Sequence, residues 1–500
     1  MKPLLLPEEM AAADRAAIES GTPTELLMDR AGRAVARAVI RVAGGRYGRR
    51  VAVVCGKGNN GGDGFVAARV ARRDGMAVRC LFVGDRSAIN GAARHHLDLM
   101  ERTGVPLENF HADALRDAHV IVDALFGTGF KGRAGGAAAT AIDSINDAGI
   151  PIVAVDIPSG VDGSSGAVEG PAVKAAETVA LAAMKVGTAI GAGAMHSGTI
   201  GVVDIGIPVR GARSWLAEAS DVASILPRRR PDSHKRSHGA VALLGGSSGM
   251  SGAVVLTARA AVRSGAGYAT AGVTAGVEPI VSGAVPEVLT RTVTTEDSLG
   301  PEALDEFKPV LERADVLAIG PGLGTGSRQA ELVIEAIKRI ESPLVIDADG
   351  LNVLVGRTSE LSARSAPAVL TPHPAELARL LERSTEDVQA DRLDAVKTAT
   401  AKLNCVVVLK GHRTLIADPS GKVVVNPTGG PELATAGTGD VLTGIVAALL
   451  AGGADPFLAA VASTYVHGLA GSVAAEDIGE SGVLAGDVAE SVPVAVARLR

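Results

Sequence analysis

The sequence predicts an α/β protein of two successive units, each organised around a buried, mostly parallel sheet. Two observations predict this class. Short apolar runs with charged or glycine-rich ends alternate with helical stretches, as strands covered on both faces do. Two glycine-rich loops carrying an aspartate also lie far apart: Gly56-Lys57-Gly58-Asn59-Asn60-Gly61-Gly62-Asp63-Gly64, and Ala436-Gly437-Thr438-Gly439-Asp440 ahead of an apolar helix. Glycine serves where backbone takes positive φ or presses on a ligand, and a following helix turns its unpaired N–H groups toward that ligand. Each loop therefore reads as an anion cradle with a carboxylate, implying two separate active sites. A chain of 500 residues, 47% apolar, exceeds what one core organises.

The elements follow in order. Thr22-Pro23-Thr24-Glu25 has the form of a capping box with proline at the first helical position, and Met28, Ala31, Val35 and Val39 recur at helical spacing, so a first helix is expected to about Gly44. Strands are expected at Val51 to Cys55, Val78 to Val83, Val120 to Val122 and Ile152 to Val155, with a helix over Phe65 to Arg73 and Val202 to Ile205 closing the sheet. Between Leu226 and Ser237 the chain turns proline-rich and basic, and the boundary is placed just before it, giving units 1–217 and 218–500. The second strand set is Val241 to Leu244, Val316 to Ile319, Leu344 to Ile346, Ala368 to Leu370 and Val406 to Leu409. A hairpin turns at Asp418-Pro419-Ser420-Gly421, and the chain is helical from Asp440 onward.

Composition excludes several classes of function. A net charge of −6 leaves no basic footprint for nucleic acid or an anionic membrane, and 2% aromatic content weakens any case for base stacking. The uncharged stretch Gly239 to Ala258 is interrupted by Gly245-Gly246-Ser247-Ser248-Gly249, so strand, loop and helix are expected there rather than a membrane span. Cys55, Cys80 and Cys405 lack framework or metal-ligand spacing and are expected as reduced core residues of a cytosolic protein. Small-molecule partners are expected.

Open α/β sheets bind ligands beyond the carboxyl ends of their strands. At those ends the first unit carries Asn59, Asn60 and Asp63, then Asp123, then Asp156, Pro158 and Ser159. The Asn60 carbonyl, Asp123 carboxylate and Ser159 hydroxyl are hard oxygen donors, suited to a weakly bound hard cation and poor for zinc or copper. Asp156 beside them is a candidate general acid/base. Gly56, Gly58 and Gly61 also satisfy G-x-G-x-x-G, with Asp85 placed for a ribose, so a nicotinamide-dependent dehydrogenase unit is the competing reading.

The runs Lys57 to Gly64, Val122-Asp123-Ala124-Leu125-Phe126-Gly127-Thr128-Gly129 and Asp156-Ile157-Pro158-Ser159-Gly160-Val161-Asp162-Gly163 resemble three signatures of NAD(P)H-hydrate epimerases, and the likeness continues through Lys185-Val186-Gly187 and Asp204 to Pro208. The resemblance implies a Rossmann-like doubly wound domain in which Asn60, Asp123 and Ser159 hold K+. It implies that Asn59, Asn60, Gly61, Gly62, Asp63, Gly127, Thr128, Gly129, Phe130, Lys131, Gly132, Arg133 and Asp156 bind the hydrated nucleotide. In the hydrate a hydroxyl sits on the carbon next to the ring nitrogen, whose lone pair helps expel it. Water returns on the other face, and Asp156 is expected to move the proton in both directions, its negative charge stabilising the cationic transition state.

In the second unit, backbone N–H groups of Thr435 to Asp440 can stabilise a transferring phosphoryl group while Asp440 deprotonates an attacking hydroxyl, the logic of ribokinase-like kinases. Strand ends upstream carry Gly320-Pro321-Gly322-Leu323-Gly324, Asp347 to Asn352, Thr371-Pro372-His373-Pro374-Ala375-Glu376-Leu377 and Lys410-Gly411-His412. With Ser233-His234-Lys235, Gly249 to Ala253 and Arg263 to Gly267, these resemble the NAD(P)H-hydrate dehydratase family, a ribokinase-like branch. By that resemblance Lys410, Gly411, His412, Arg413, Thr414, Gly430, Thr435, Ala436, Gly437, Thr438 and Gly439 bind the nucleotide, ADP in two-domain bacterial-type members, with Mg2+. Ala253, Gly322, His373 and Asp440 contact the hydrate, and Asp440 is the base. Gly430-Pro431-Glu432 departs from the family pattern, and Glu432 is expected to add negative charge near the phosphates.

Taken together the halves resemble a bifunctional NAD(P)H-hydrate repair enzyme: an isomerase that interconverts the R and S hydrates, joined to a lyase that returns the S-hydrate to NADH or NADPH. A cytoplasmic homo-oligomer is expected. The alternatives are a dehydrogenase fused to a small-molecule kinase, and a ligand-binding scaffold without turnover.

Overall fold

The chain divides into two compact units in the computed structural model, which describes residues 1–500: one is Pro3–Ser214, the other Met1–Lys2 with Trp215–Arg500. In the first unit seven strands form a wholly parallel sheet: Arg50–Cys55, Ala77–Phe82, Leu107–Asn109, Val120–Ala124, Ile152–Val155, Glu177–Leu181 and Thr199–Val203. Their spatial order, numbered along the chain, is 3-2-1-4-5-6-7. The order reverses between Arg50–Cys55 and Val120–Ala124, the switch point beside which ligands bind in doubly wound folds. Val51 to Cys55 and Val120 to Ala124 are buried on both faces, which explains their near-continuous apolar sequence.

The second unit repeats the plan with different strands. Ala240–Leu244, Tyr268–Thr274, Leu289–Thr294, Val316–Ile319, Leu344–Ile346, Ala368–Leu370 and Val406–Leu409 are parallel, again with reversal between the first and fourth. Leu415–Ala417 and Val423–Val425 add antiparallel strands as the expected hairpin, its turn closed by Asp418 N–H to Lys422 O at 3.1 Å. The stretch Gly239 to Ala258 forms a strand, a loop and the start of helix Ser251–Arg263. One helix, Pro456–Ile478, is long and apolar enough to cross a bilayer, but its most apolar stretch is 67% buried in the protein.

The N-terminus differs from expectation. Helix Pro7–Glu19 precedes the anticipated first helix, which runs Thr24–Val42 with Pro23 as its N-cap and no side-chain cap from Thr22. With Pro23 at the cap position no side-chain oxygen is available there, and the N–H groups of Leu26 and Leu27 go to Pro23 O at 3.0 and 3.2 Å. The three cysteines are buried and unpaired, Cys55 and Cys80 having their Sγ atoms 3.8 Å apart.

Candidate active sites

The first site lies at the switch point of the Pro3–Ser214 unit, in a cavity of about 890 Å³. Helix Asn59–Arg73 starts directly after the first strand and sits close to it because Gly61 has no side chain: a Cβ there would lie 1.9 Å from Gly56 O. Asn59, Asn60, Asp63, the run Gly127 to Lys131, and Asp156 line the cavity. Gly61 and Gly62, in the first turn of that helix, pack against Gly56 and against Met28 and Ala93 and are not part of the cavity wall, while Gly132 and Arg133 also fall outside it, the Arg133 stem passing against Gly170.

Below the cavity Asp123 is fully buried in the fourth strand. Its Oδ1 accepts from Ser159 Oγ at 2.6 Å and Leu125 N at 3.2 Å, and its Oδ2 from Ser159 N at 2.8 Å. Burial pushes its pKa to about 6 against these hydrogen bonds, because no cationic side chain neutralises it. Asn60 donates Nδ2–H to Phe126 O at 2.8 Å, which leaves its amide oxygen free. One buried carboxylate with amide, hydroxyl and carbonyl oxygens fits a hard monovalent cation.

Asp156 holds left-handed backbone at φ 67°, just past the fifth strand. Its Oδ1 accepts from Leu181 N at 2.9 Å and is ion-paired with the buried Lys185, whose ammonium also donates to Leu181 O at 2.9 Å and Ala183 O at 3.0 Å. The strained backbone and this ammonium together fix the carboxylate at the cavity wall. Asp85, also on the cavity wall, accepts from Ser87 N at 2.9 Å through Oδ1.

The second site forms where helix Thr438–Ala451 begins. Gly437 takes φ 91° and turns the first free N–H groups outward. Behind the loop Lys410 Nζ lies 2.8 Å from Asp347 Oδ1 and 3.9 Å from Glu376 Oε2, while Thr443 Oγ1 donates to Asp347 Oδ2 at 2.7 Å. Burial opposes the charge on Lys410, but Asp347 and Glu376 outweigh it and raise its pKa. A Cβ on Gly439 would stand 3.2 Å from Lys410 Nζ, so loop and lysine face the same point. Asp440 takes no hydrogen bond from the protein; burial first, then Asp347, lifts its pKa to about 7. Asp349, Glu376 and Asp440 add hard oxygen donors around Lys410, but Asp347 is engaged by Lys410 and Thr443 and no three carboxylates converge on one metal-sized point, so a divalent cation here would draw most of its oxygens from the nucleotide's phosphates.

The expected hydrate contacts converge as well. Gly322, at φ 62°, approaches so closely that a Cβ would lie 3.2 Å from the Ala253 Cβ. His373 Nδ1 accepts from Ala375 N at 3.1 Å and Glu376 N at 3.3 Å, and burial and Lys410 lower its pKa, leaving a neutral ring with Nε2 as donor. The loop Lys410–Thr414 is held by Arg392, a buried guanidinium that donates to the carbonyls of Leu409, Lys410 and His412. Thr438 Oγ1 anchors the phosphoryl loop to Leu433 O at 3.0 Å and Thr435 O at 3.1 Å. Glu432 is buried beside Gly430, accepting from Gly430 N at 2.9 Å and Ser472 Oγ at 3.1 Å. Lys185, Asp347, Thr443 and Arg392 were given no role by sequence; their partners are distant in the chain, and only Lys185 and Asp347 lay within noted motifs.

Comparison with known proteins covers both units. Residues 24–187 match the family described as YjeF-related protein N-terminus, and residues 241–494 the family described as NAD(P)H-hydrate dehydratase. Similar curated proteins include the bifunctional NAD(P)H-hydrate repair enzyme of Moorella thermoacetica, 41% identical over 99% of this chain and 97% of that protein. The protein of that name from Coxiella burnetii is 39% identical over 95% of each chain. Among solved structures, the ADP/ATP-dependent NAD(P)H-hydrate dehydratase of Bacillus subtilis, co-crystallised with ATP/Mg2+, is 30% identical with TM-score 0.51, covering 57% of this chain and 99% of that one. An Enterococcus faecalis ribokinase-like superfamily protein gives 27% identity and TM-score 0.50 over 58% of this chain and 98% of its own. Relatives that align from end to end, through both units in the same order, place the chain in the family of bifunctional NAD(P)H-hydrate repair enzymes.

Proposed function

We propose that the Pro3–Ser214 unit interconverts the R and S hydrates of NADH and NADPH, and that the second unit dehydrates the S-hydrate at the expense of ADP. The observation that carries this reading is the end-to-end kinship, with a reactive carboxyl at each switch point. In the first unit Asp156, oriented by Lys185, faces the hydrated ring and handles the proton as the ring nitrogen expels the hydroxyl; its charge favours the cationic transition state. Asn60, Asp123 and Ser159 would hold K+, which neutralises the buried Asp123 and offers a Lewis-acidic contact to the substrate. Added KCl should raise the melting temperature of the wild-type chain and leave Asp123→Ala unmoved; an equal rise in both would remove K+ from this site.

In the second unit Asp440 takes the proton from the hydrate hydroxyl as its oxygen attacks the terminal phosphorus of ADP. The N–H groups at Gly437 to Asp440 and the Lys410 ammonium receive the negative charge of the transferring group. AMP departs, phosphate then leaves the ring carbon as the adjacent C–H loses its proton, and the reduced nicotinamide re-forms. Mg2+, held near Asp347 and Glu376, would offset charge on the phosphates. ADP over ATP, a homo-oligomeric state and a cytoplasmic location belong to this proposal.

Two variants separate the activities. Asp156→Asn should lose epimer interconversion, followed chromatographically without nucleotide, and keep nucleotide-dependent dehydration of the S-hydrate. Asp440→Asn should do the reverse. A variant that loses both activities while folded would break the assignment of one site to each unit.

A further inference from the structure

Inversion at the hydroxyl-bearing carbon requires a hydroxyl to leave one face of the ring and water to arrive at the other. Asp156 is fixed by Lys185 and Leu181 N, and a carboxylate so tethered serves one face. A second carboxyl lines the same cavity. Asp63, the fifth residue of helix Asn59–Arg73, reaches it from the helix that follows the first strand, whereas Asp156 follows the fifth strand. Only the fourth strand separates these two, so the strand ends are about 10 Å apart, enough for a ring between them. Asp63 is 7% exposed, and its carboxyl takes no hydrogen bond from the protein. Asp14, on helix Pro7–Glu19, reaches the same cavity from outside residues 24–187 that match the N-terminal family.

We propose that Asp63 is a second catalytic carboxyl of the epimerase cavity, the acid that protonates the departing hydroxyl, with Asp14 as its positioning partner. This rests on the epimerase reading. The Asp63 proton passes to the hydroxyl, the carbon–oxygen bond breaks, water leaves, and the ring-nitrogen lone pair forms the carbon–nitrogen double bond. Water then adds to the opposite face and its proton goes to Asp156. The two carboxyls have exchanged protonation states, which is the form that acts on the opposite epimer; proton exchange with cavity water restores the first.

The electrostatics support this division. Burial raises the pKa of Asp63 well above the usual carboxylate range, and Asp156 and Asp14 raise it further while Lys185 opposes them. Burial raises Asp14, with Lys185 opposing and Asp156 adding to the rise. Asp156 is ion-paired with Lys185 while Asp63 has no cationic partner, the asymmetry of surroundings that an acid and base pair needs. The other titratable groups on elements around Asp63 are Cys55 and Asp123 on the neighbouring strands, Asp29, which is paired with Arg33 and Arg69, and His96, bonded to Glu25 O. Lys57, Asp85 and Lys131 stand along the cavity wall.

The test uses the full chain, NADH hydrate without nucleotide for epimerisation, and NADH for binding. With wild type active, Asp63→Asn should slow interconversion by about 100-fold or more, as loss of a general acid does, while NADH affinity stays within about threefold, a ground-state loss too small to account for that rate effect. Asp14→Asn should remain active and move the alkaline limb of the pH profile to lower pH, because Asp63 then loses its proton more readily. Asp63→Asn epimerising like wild type, losing activity only in step with NADH affinity, or an unmoved alkaline limb in Asp14→Asn would overturn the proposal. If Asp63→Asn does not fold, the Asp14→Asn profile decides. An inactive wild-type chain would instead overturn the epimerase reading.

Discussion

Asp440 carries the clearest electrostatic signature of any single residue in the second unit. Its pKa of about 7, raised by burial and then by Asp347, keeps it partly protonated near neutrality. A base must be unprotonated to act, so dehydratase kcat/KM should rise roughly tenfold per pH unit below about 7 and level off above it. A flat profile from pH 5.5 to 8 would remove Asp440 as the base. Asp123 and Asp156 were legible in the sequence because a polar residue closing an apolar run announces itself locally, and Asp440 because a glycine-rich loop precedes an apolar helix. Lys185 was not assigned, because its pairing with Asp156 depends on how the chain returns after the sixth strand. Asp14 sits in a helix with no apolar rhythm strong enough to mark it, and its site neighbour Asp63 is distant along the chain.

At the scale of elements, the loop Lys410–Thr414 depends on one buried side chain. Arg392 donates to three carbonyls around it, a planar fork that lysine cannot reproduce. Arg392→Lys should cost about 2 kcal/mol of stability from buried charge-assisted hydrogen bonds, lowering the melting temperature of the second unit by about 3 °C. Through a looser loop it should raise the nucleotide KM about tenfold, equivalent to about 1.4 kcal/mol of ground-state binding, with little change in kcat. An unchanged KM in a destabilised variant would make Arg392 purely structural. Most strands were legible as β-branched runs between glycine or charge, and their ends agree within a residue or two, except that Val202 to Ile205 is observed as Thr199–Val203. Tyr268–Thr274 was missed because its alanines and glycine lack a strand's composition; pairing on both edges imposes the conformation. Leu289–Thr294 was missed as a largely exposed edge strand.

For the whole molecule, the informative regularity is that each unit reverses its strand order between its first and fourth strands, with Asp63 on the helix after the first strand of one unit and helix Thr438–Ala451 packed on the first and fourth strands of the other. Sequence revealed the alternation of strands and helices but not the strand order, which is set by long-range pairing. The division into Pro3–Ser214 and the remainder likewise assigns Met1–Lys2 to the second unit, through the N-terminal ammonium on Asp221 at 2.6 Å, a contact no local pattern announces. Fusing an isomerase to a lyase that accepts one epimer lets one chain clear both. The most direct test is recovery of reduced-nicotinamide absorbance from a mixture of both NADH hydrate epimers, with purified chain, Mg2+ and ADP or ATP. The account predicts complete recovery with a nucleotide and none without. Recovery that halts when one epimer is exhausted would contradict the first unit's role, and no recovery with either nucleotide would contradict the second's.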